Sequence, residues 1–317
     1  MALAREKLRR AVARGVAEQS EQGGLELGAL LCTPANATPD SADLLEKLVA
    51  VVGQLGLPPL PTEGEHIELV YVNLCTRGDR RAHMESQLQS HSSLHGRRME
   101  AQKGAAAPDW AAVDEWDAAI GRAVAAEWST RLNARFDHLS QRDARVPLQP
   151  SERGAAMCHA LLWARAASRP IDAPPLLICE DDVELREDFA AGLAACIAAV
   201  ESALPPEDRR LLLYAGADVA AGGWRGRASA CIRDGETPLC LREAAYLWHT
   251  SSYVVWPAAA RALAHALPID APVDVFAARL VHERRLRAVV AIPPLAVQGS
   301  EVRTGDCGLG DCVPSGR

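Results

Sequence analysis

The sequence predicts an α/β domain with a mainly parallel sheet flanked by helices. Three observations carry this. The segments Ile67–Leu74, Leu176–Cys179, Leu211–Tyr214 and Arg287–Ile292 are nearly continuous apolar runs, the pattern of strands buried on both faces. Segments of helical character lie between them, so strand and helix alternate along the chain. No apolar run reaches the roughly 18–20 residues that a membrane-spanning helix requires, and 49% hydrophobic residues is ordinary for a globular chain of 317 residues.

In chain order, residues 1–56 read as two helical patches split by Thr33–Asn36, and the linker Leu57–Gly64 is rich in proline and glycine. After the strand at 67–74, Asp79 is the expected N-cap of a helix over Arg80–Gln89. Residues 90–147 read as polar and irregular, with helical stretches near 109–128. Ser151 is expected to cap a helix to Ala167 whose apolar face holds Met157, Leu161, Leu162 and Trp163. A helix over Phe189–Ala203 follows the second strand, closed by Pro205-Pro206. Tyr253–Trp256 reads as a further strand, and Pro257 suits the first turn of a helix to Leu267. The organisation is a helical extension and Pro-rich linker over 1–62, one domain over 63–300, and a flexible tail over 301–317.

A net charge of −7 argues against a protein whose business is coating nucleic acid. Of 34 basic side chains only Lys7, Lys47 and Lys103 are lysines. Arginines beside phosphate-binding geometry are therefore distinguished from an Arg-rich background. The N-terminus has basic residues but no apolar core or clear cleavage site, so it reads as a surface helix rather than a secretory signal; the compartment stays open, with a cytoplasmic chain as the default and a secretory lumen the alternative if a targeting segment is missing. Nine cysteines is an odd number. Cys75, Cys158, Cys179 and Cys196 lie in apolar stretches and read as small buried hydrophobes, whereas Cys307 and Cys312 could bridge or bind a metal.

Chemistry concentrates at two strand ends. Glu180-Asp181-Asp182 follows the second buried strand, at the carboxyl end where open α/β sheets bind ligands. Carboxylates so placed suit Mg²⁺ or Mn²⁺ bridging a diphosphate; the plainer alternative is an acidic loop capping the next helix. The first strand ends in Asn73-Leu74-Cys75-Thr76-Arg77-Gly78-Asp79-Arg80-Arg81, whose arginines at a strand-to-helix turn can meet a diphosphate. No G-x-G-x-x-G follows the first strand, and no phosphate-loop, G-x-S-x-G or H-E-x-x-H motif occurs.

Five segments together resemble glycosyltransferase family 25, which includes lipooligosaccharide and procollagen galactosyltransferases. They are Val70–Leu74 with Arg77, Asp79–Arg81 and Met84; Ser151–His159 with Trp163; Ile178–Val183; Tyr253 with Ala260, Leu263 and Pro268–Asp274; and Val290 with Pro293, Pro294 and Gln298. They span about residues 67–300 in the family's order. Glu100–Gly104 departs from it, with Lys103 in place of an aspartate.

The resemblance implies a GT-A type nucleotide-sugar domain. Its expected reaction is metal-dependent transfer of a hexose, galactose first, from a UDP-sugar to a glycan or protein hydroxyl with inversion. It implies Asp182 and Glu180 as ligands of a divalent ion, Mn²⁺ before Mg²⁺. Asn73, Arg77, Arg80, Glu180, Asp181 and Gln298 become the expected donor contacts. Asp274 is the expected general base and Asp270 its competitor. His159 reads as a core histidine bonded to backbone, His249 as a residue within reach of the donor, and Trp110, Trp116 and Trp128 as residues that could stack on sugar rings. Two rivals remain at this level. One is a catalytically silent binding member of the same fold. The other is a nucleotidyltransferase, which would want a Gly-rich triphosphate loop that the sequence lacks.

Overall fold

The computed structural model describes residues 44, 47–48, 67–101, 122–133, 144–233 and 238–299. Trp110, Trp116, Lys103, Cys307, Cys312, the C-terminal tail and nearly all of the N-terminal extension lie outside these. Of the extension, Leu44 and Leu48 are described, and both are buried in the main core.

The chain runs β1 (Ile67–Asn73), α1 (Gly78–Gln89), β2 (Leu94–Glu100), β3 (Glu127–Ser129), β4 (Arg145–Pro147) and α2 (Pro150–Ala167). It continues through β5 (Leu176–Glu180), β6 (Val183–Leu185), α3 (Phe189–Ala203), β7 (Leu211–Val219), β8 (Trp224–Arg233), β9 (Leu239–Ala244) and β10 (Leu247–Val255). It closes with α4 (Pro257–Ala264), α5 (Val273–His282), β11 (Arg287–Ile292) and β12 (Ala296–Gln298).

Eight strands form one sheet in the order β2-β1-β5-β10-β7-β11-β9-β8. The pairs β1–β2, β1–β5 and β7–β11 are parallel, whereas β10 runs against both β5 and β7. Beyond β11, β9 and β8 form an antiparallel edge. The expected α/β sheet flanked by helices is therefore present, mixed in direction but with β9 and β10 alone reversed.

Alternation along each central strand fills two cores. Val70, Leu176, Ile178, Tyr253 and Val255 join Trp163 of α2, Leu263 of α4 and Phe276 of α5 on one face. Leu69, Leu177, Cys179 and Val254 join Met84 of α1 and Phe189 and Leu193 of α3 on the other. Complete burial of each such side chain contributes roughly 1.5–3 kcal/mol against leaving it in water.

Several local expectations are corrected. Leu94–Glu100, read as irregular, is the parallel edge strand β2, polar because only Leu94 and Met99 are buried. Helix α1 begins at Gly78 with Arg77 at its N-cap, and Asp79 sits inside its first turn, ion-paired to Arg77 rather than capping. Helix α2 begins at Pro150 after Gln149, with the Glu152 carboxylate accepting the Gln149 N–H at 2.7 Å, so Ser151 is not the cap. Cys75 is exposed, while Cys158, Cys179 and Cys196 are buried as expected. Cys231 and Cys240 form a disulfide across β8 and β9, a hairpin the sequence did not announce.

The short strand β12 pairs with β6 and lies across β7. Leu295 N–H donates to Ala215 O at 2.7 Å, and a Cβ on Gly216 would come 1.8 Å from Ala296 O. Only glycine permits this approach. Gly216→Ala is expected to push β12 off the sheet and cost about 1–3 kcal/mol or more, read as a lowered Tm in a thermal melt.

Candidate active site

The carboxyl ends of β1 and β5 meet at the acidic turn. Asn73, 1% exposed, ends β1 and donates from Nδ2 to Asp181 Oδ2 at 2.7 Å and to Arg77 O at 3.0 Å. Arg80, one turn into α1, donates from Nη1 to Asp181 Oδ1 at 2.9 Å and lies 3.7 Å from Asp182 Oδ2. Asp181 is thus tied to the β1–α1 turn by two side chains. Arg77 reaches its neighbour Asp79 with two hydrogen bonds, holding that carboxyl well below its usual range. The structure therefore unites Asn73, Arg80 and Asp181 and shows Arg77 turned to Asp79.

Glu180 and Asp182 have different partners. The half-buried Glu180 accepts Thr250 Oγ1–H at 2.9 Å, and its Oε1 lies 3.7 Å from His159 Nε2. Burial pushes its carboxyl up, but hydrogen bonding and charge from His159 and the bond from Thr250 outweigh this and leave it below its ordinary value. Asp182 is 6% exposed, and its Oδ2 accepts Gln298 Nε2–H at 3.0 Å. Burial first, then the charge of Glu180, raise the Asp182 carboxyl above its ordinary value against the pull of Gln298 and Arg80.

Asp182 Oδ1 is buried without a hydrogen-bond partner among the described residues. A buried carboxylate oxygen left unpaired is costly, and a cation would relieve it. Among the described residues no group of three or more His, Cys, Asp or Glu side chains could hold a metal on its own. That donor set fits Mg²⁺ or Mn²⁺ of the kind held by one or two carboxylates together with substrate phosphates and waters. It does not fit a closed structural site.

Asp274, near enough to feel the charge of Glu180, lies in the first turn of α5, its Oδ1 accepting Val275 N–H at 2.8 Å. Burial raises its carboxyl despite that bond and the charge of His249. Burial has overcome the helix N-terminus, which by itself lowers a carboxylate. Asp270 is instead ion-paired with Arg279 of α5. An acid already committed to a guanidinium is the poorer base, so the geometry separates the two candidates.

His159 is buried, but its partner is not backbone, contrary to expectation. Its Nδ1 lies 2.8 Å from the Tyr253 hydroxyl, which also accepts Trp163 Nε1–H at 2.8 Å. With that hydroxyl donating to Nδ1, the Nε2–H points at Glu180. His249 Nδ1 lies 3.0 Å from Gln298 Oε1. Trp128 is partly buried and packs against the main core.

Two contributors escaped the sequence. Arg98 of β2 donates from Nε to Asn73 Oδ1 at 2.9 Å, and Thr250 bonds Glu180. The recoverable signal was the pair of arginines in an otherwise short polar strand; for Thr250 nothing local marks the residue.

A buried acid turn at the carboxyl ends of parallel strands, in an α/β sheet with one reversed strand at its centre, defines the GT-A-like class of domain. Residues 67–218 match the family model described as glycosyltransferase family 25 (LPS biosynthesis protein). The match supports membership of that family and a glycosyltransferase activity. A search of curated proteins found no match.

Proposed function

We propose that this glycosyltransferase transfers a hexose, galactose first, from a UDP-sugar to a hydroxyl of a glycan or protein, with inversion and with help from a divalent ion. The observation that carries the proposal is the buried acid turn, with the unpaired Asp182 Oδ1 beside the half-buried Glu180. Asp182 and Glu180 would hold Mn²⁺, or Mg²⁺ in its place. When bound, the ion supplies positive charge to the departing diphosphate.

The chain's own groups account for the rest. Asn73 and Arg80 fix Asp181, so the turn keeps its shape when Asp182 changes partner. Arg77 and Arg80 border the site where the phosphates and ribose would lie. Asp274 takes the proton of the acceptor hydroxyl as its oxygen bonds to the anomeric carbon and the bond to the diphosphate oxygen breaks. Attack and departure occur on opposite faces, hence inversion. The raised Asp274 carboxyl makes it a stronger base than an ordinary aspartate.

A donor screen tests this. UDP-galactose, UDP-glucose and UDP-N-acetylglucosamine are incubated with Mn²⁺ and UDP release is measured. Mn²⁺-dependent turnover, fastest with UDP-galactose, is expected. UDP binding with no turnover of any donor would instead identify a silent binding member. Neither binding nor turnover would exclude the UDP-sugar reading.

A further inference from the structure

Strand β10 is irregular where it passes the acid turn. Trp248 is opposite Asp218 and Ser252 opposite Gly216, so His249, Thr250 and Ser251 together face Ala217 alone. Within this bulge His249 has φ 71°, in the left-handed region. A residue with a Cβ pays for that conformation, and it persists only where surrounding contacts fix it. Bulges commonly re-aim side chains beside functional sites.

The contacts that fix this bulge lead to the acid turn. Thr250 Oγ1 donates to Glu180. His249 also lies close enough to Asp274 for its charge to favour that carboxylate. The Gln298 amide donates from Nε2 to Asp182, a carboxylate that only accepts, so its Oε1 must face His249 and Nδ1 must carry the hydrogen between them. His249 Nε2 lies 3.2 Å from Asp218 Oδ2, an ion pair when the ring carries hydrogens on both nitrogens. His249 therefore touches the support of Asp182 with its ring, while its neighbour in the bulge, Thr250, holds Glu180.

We propose that His249 is a positioning residue, its left-handed backbone and imidazole holding Gln298, and through it Asp182, in register with the Glu180 that Thr250 of the same bulge holds. This rests on the functional reading above and adds the element that fixes its two proposed metal-side acids relative to one another. Ordinary strand geometry would send residues 249 and 250 to opposite faces of the sheet. The bulge delivers both to the same end of it.

Two variants separate positioning from simple packing. His249→Gly removes the ring and relieves the left-handed backbone; His249→Ala removes the ring and keeps a Cβ there. Each is compared with wild type by thermal melting without metal, by calorimetric titration of UDP with Mn²⁺, and by kcat and KM for UDP release from the preferred donor. The proposal predicts that both variants lose about 10²-fold in kcat and about 10-fold or more in Mn²⁺-dependent UDP affinity. It further predicts that the glycine variant melts at or above wild type, with the alanine variant roughly 2–4 °C below the glycine variant. Function and stability would then move in opposite directions at one position. Wild-type turnover in His249→Gly, or a fall in its Tm in step with its activity, overturns the proposal alone. Failure of the wild type itself to bind UDP with Mn²⁺ overturns the functional reading and this proposal with it.

Discussion

Replacing Asp182 by alanine is expected to abolish Mn²⁺-dependent binding of UDP. The buried Oδ1 of Asp182 has no hydrogen-bond partner among the described residues, and its carboxyl is raised by burial and by the charge of Glu180. Both features describe a group whose negative charge is under-compensated until a cation arrives. Loss of a supporting residue around a metal costs 10–100-fold in affinity, so loss of a ligand should cost at least about 100-fold. Calorimetric titration of UDP with Mn²⁺ measures it directly. The fold should survive, because Asp181 rather than Asp182 carries the bonds to Asn73 and Arg80. Unchanged UDP affinity in a folded Asp182→Ala protein would remove Asp182 from the metal site.

The second large effect is expected at Asp274. Asp274→Asn keeps an oxygen for the Val275 N–H and removes the proton acceptor. UDP binding should stay at the wild-type level while kcat falls by about 10²–10⁴-fold, the usual contribution of a general base. The pH profile gives a second readout. The base form is the deprotonated one, and burial has raised the carboxyl, so activity should rise with pH through a value above the ordinary aspartate range near ~3.9. That acidic limb should vanish in the variant. The linkage sign is opposite for stability. A carboxyl raised in the folded state favours folding while protonated, and that contribution is lost as pH rises through the raised value. Asp274→Asn should therefore melt no lower than wild type at neutral pH. Normal transfer by the variant would return the role of base to another group, with Asp270 already weakened by its pairing to Arg279.

What was legible in the sequence follows burial. Strands β1, β5 and β11 are covered on both faces and read as continuous apolar runs, and α3 was bounded to the residue. Edge strands lack that signature. β2 is Leu-His-Gly-Arg-Arg-Met-Glu, and the β8–β9 hairpin is held partly by a disulfide whose pairing no spacing discloses. The reversal of β10 was invisible too, since an apolar run has the same pattern in either direction. The acid triplet stood out because three charges end a buried strand. Its internal division did not. That Asp181 bonds Arg80 while Asp182 bonds Gln298 depends on α1 and β12, which lie at opposite ends of the domain's sequence. The β10 bulge is less legible still, because register exists only between strands and not within one.

The central claim is that the turn Glu180–Asp182 is a metal-assisted site for a nucleotide diphosphate. Calorimetric titration of the wild-type protein with UDP, in the presence of Mn²⁺ and again in EDTA, tests it most directly. The account predicts saturable one-to-one binding with Mn²⁺ that weakens at least tenfold in EDTA, a difference of about 1.4 kcal/mol. Equal affinity in both conditions, or no binding in either, would contradict it.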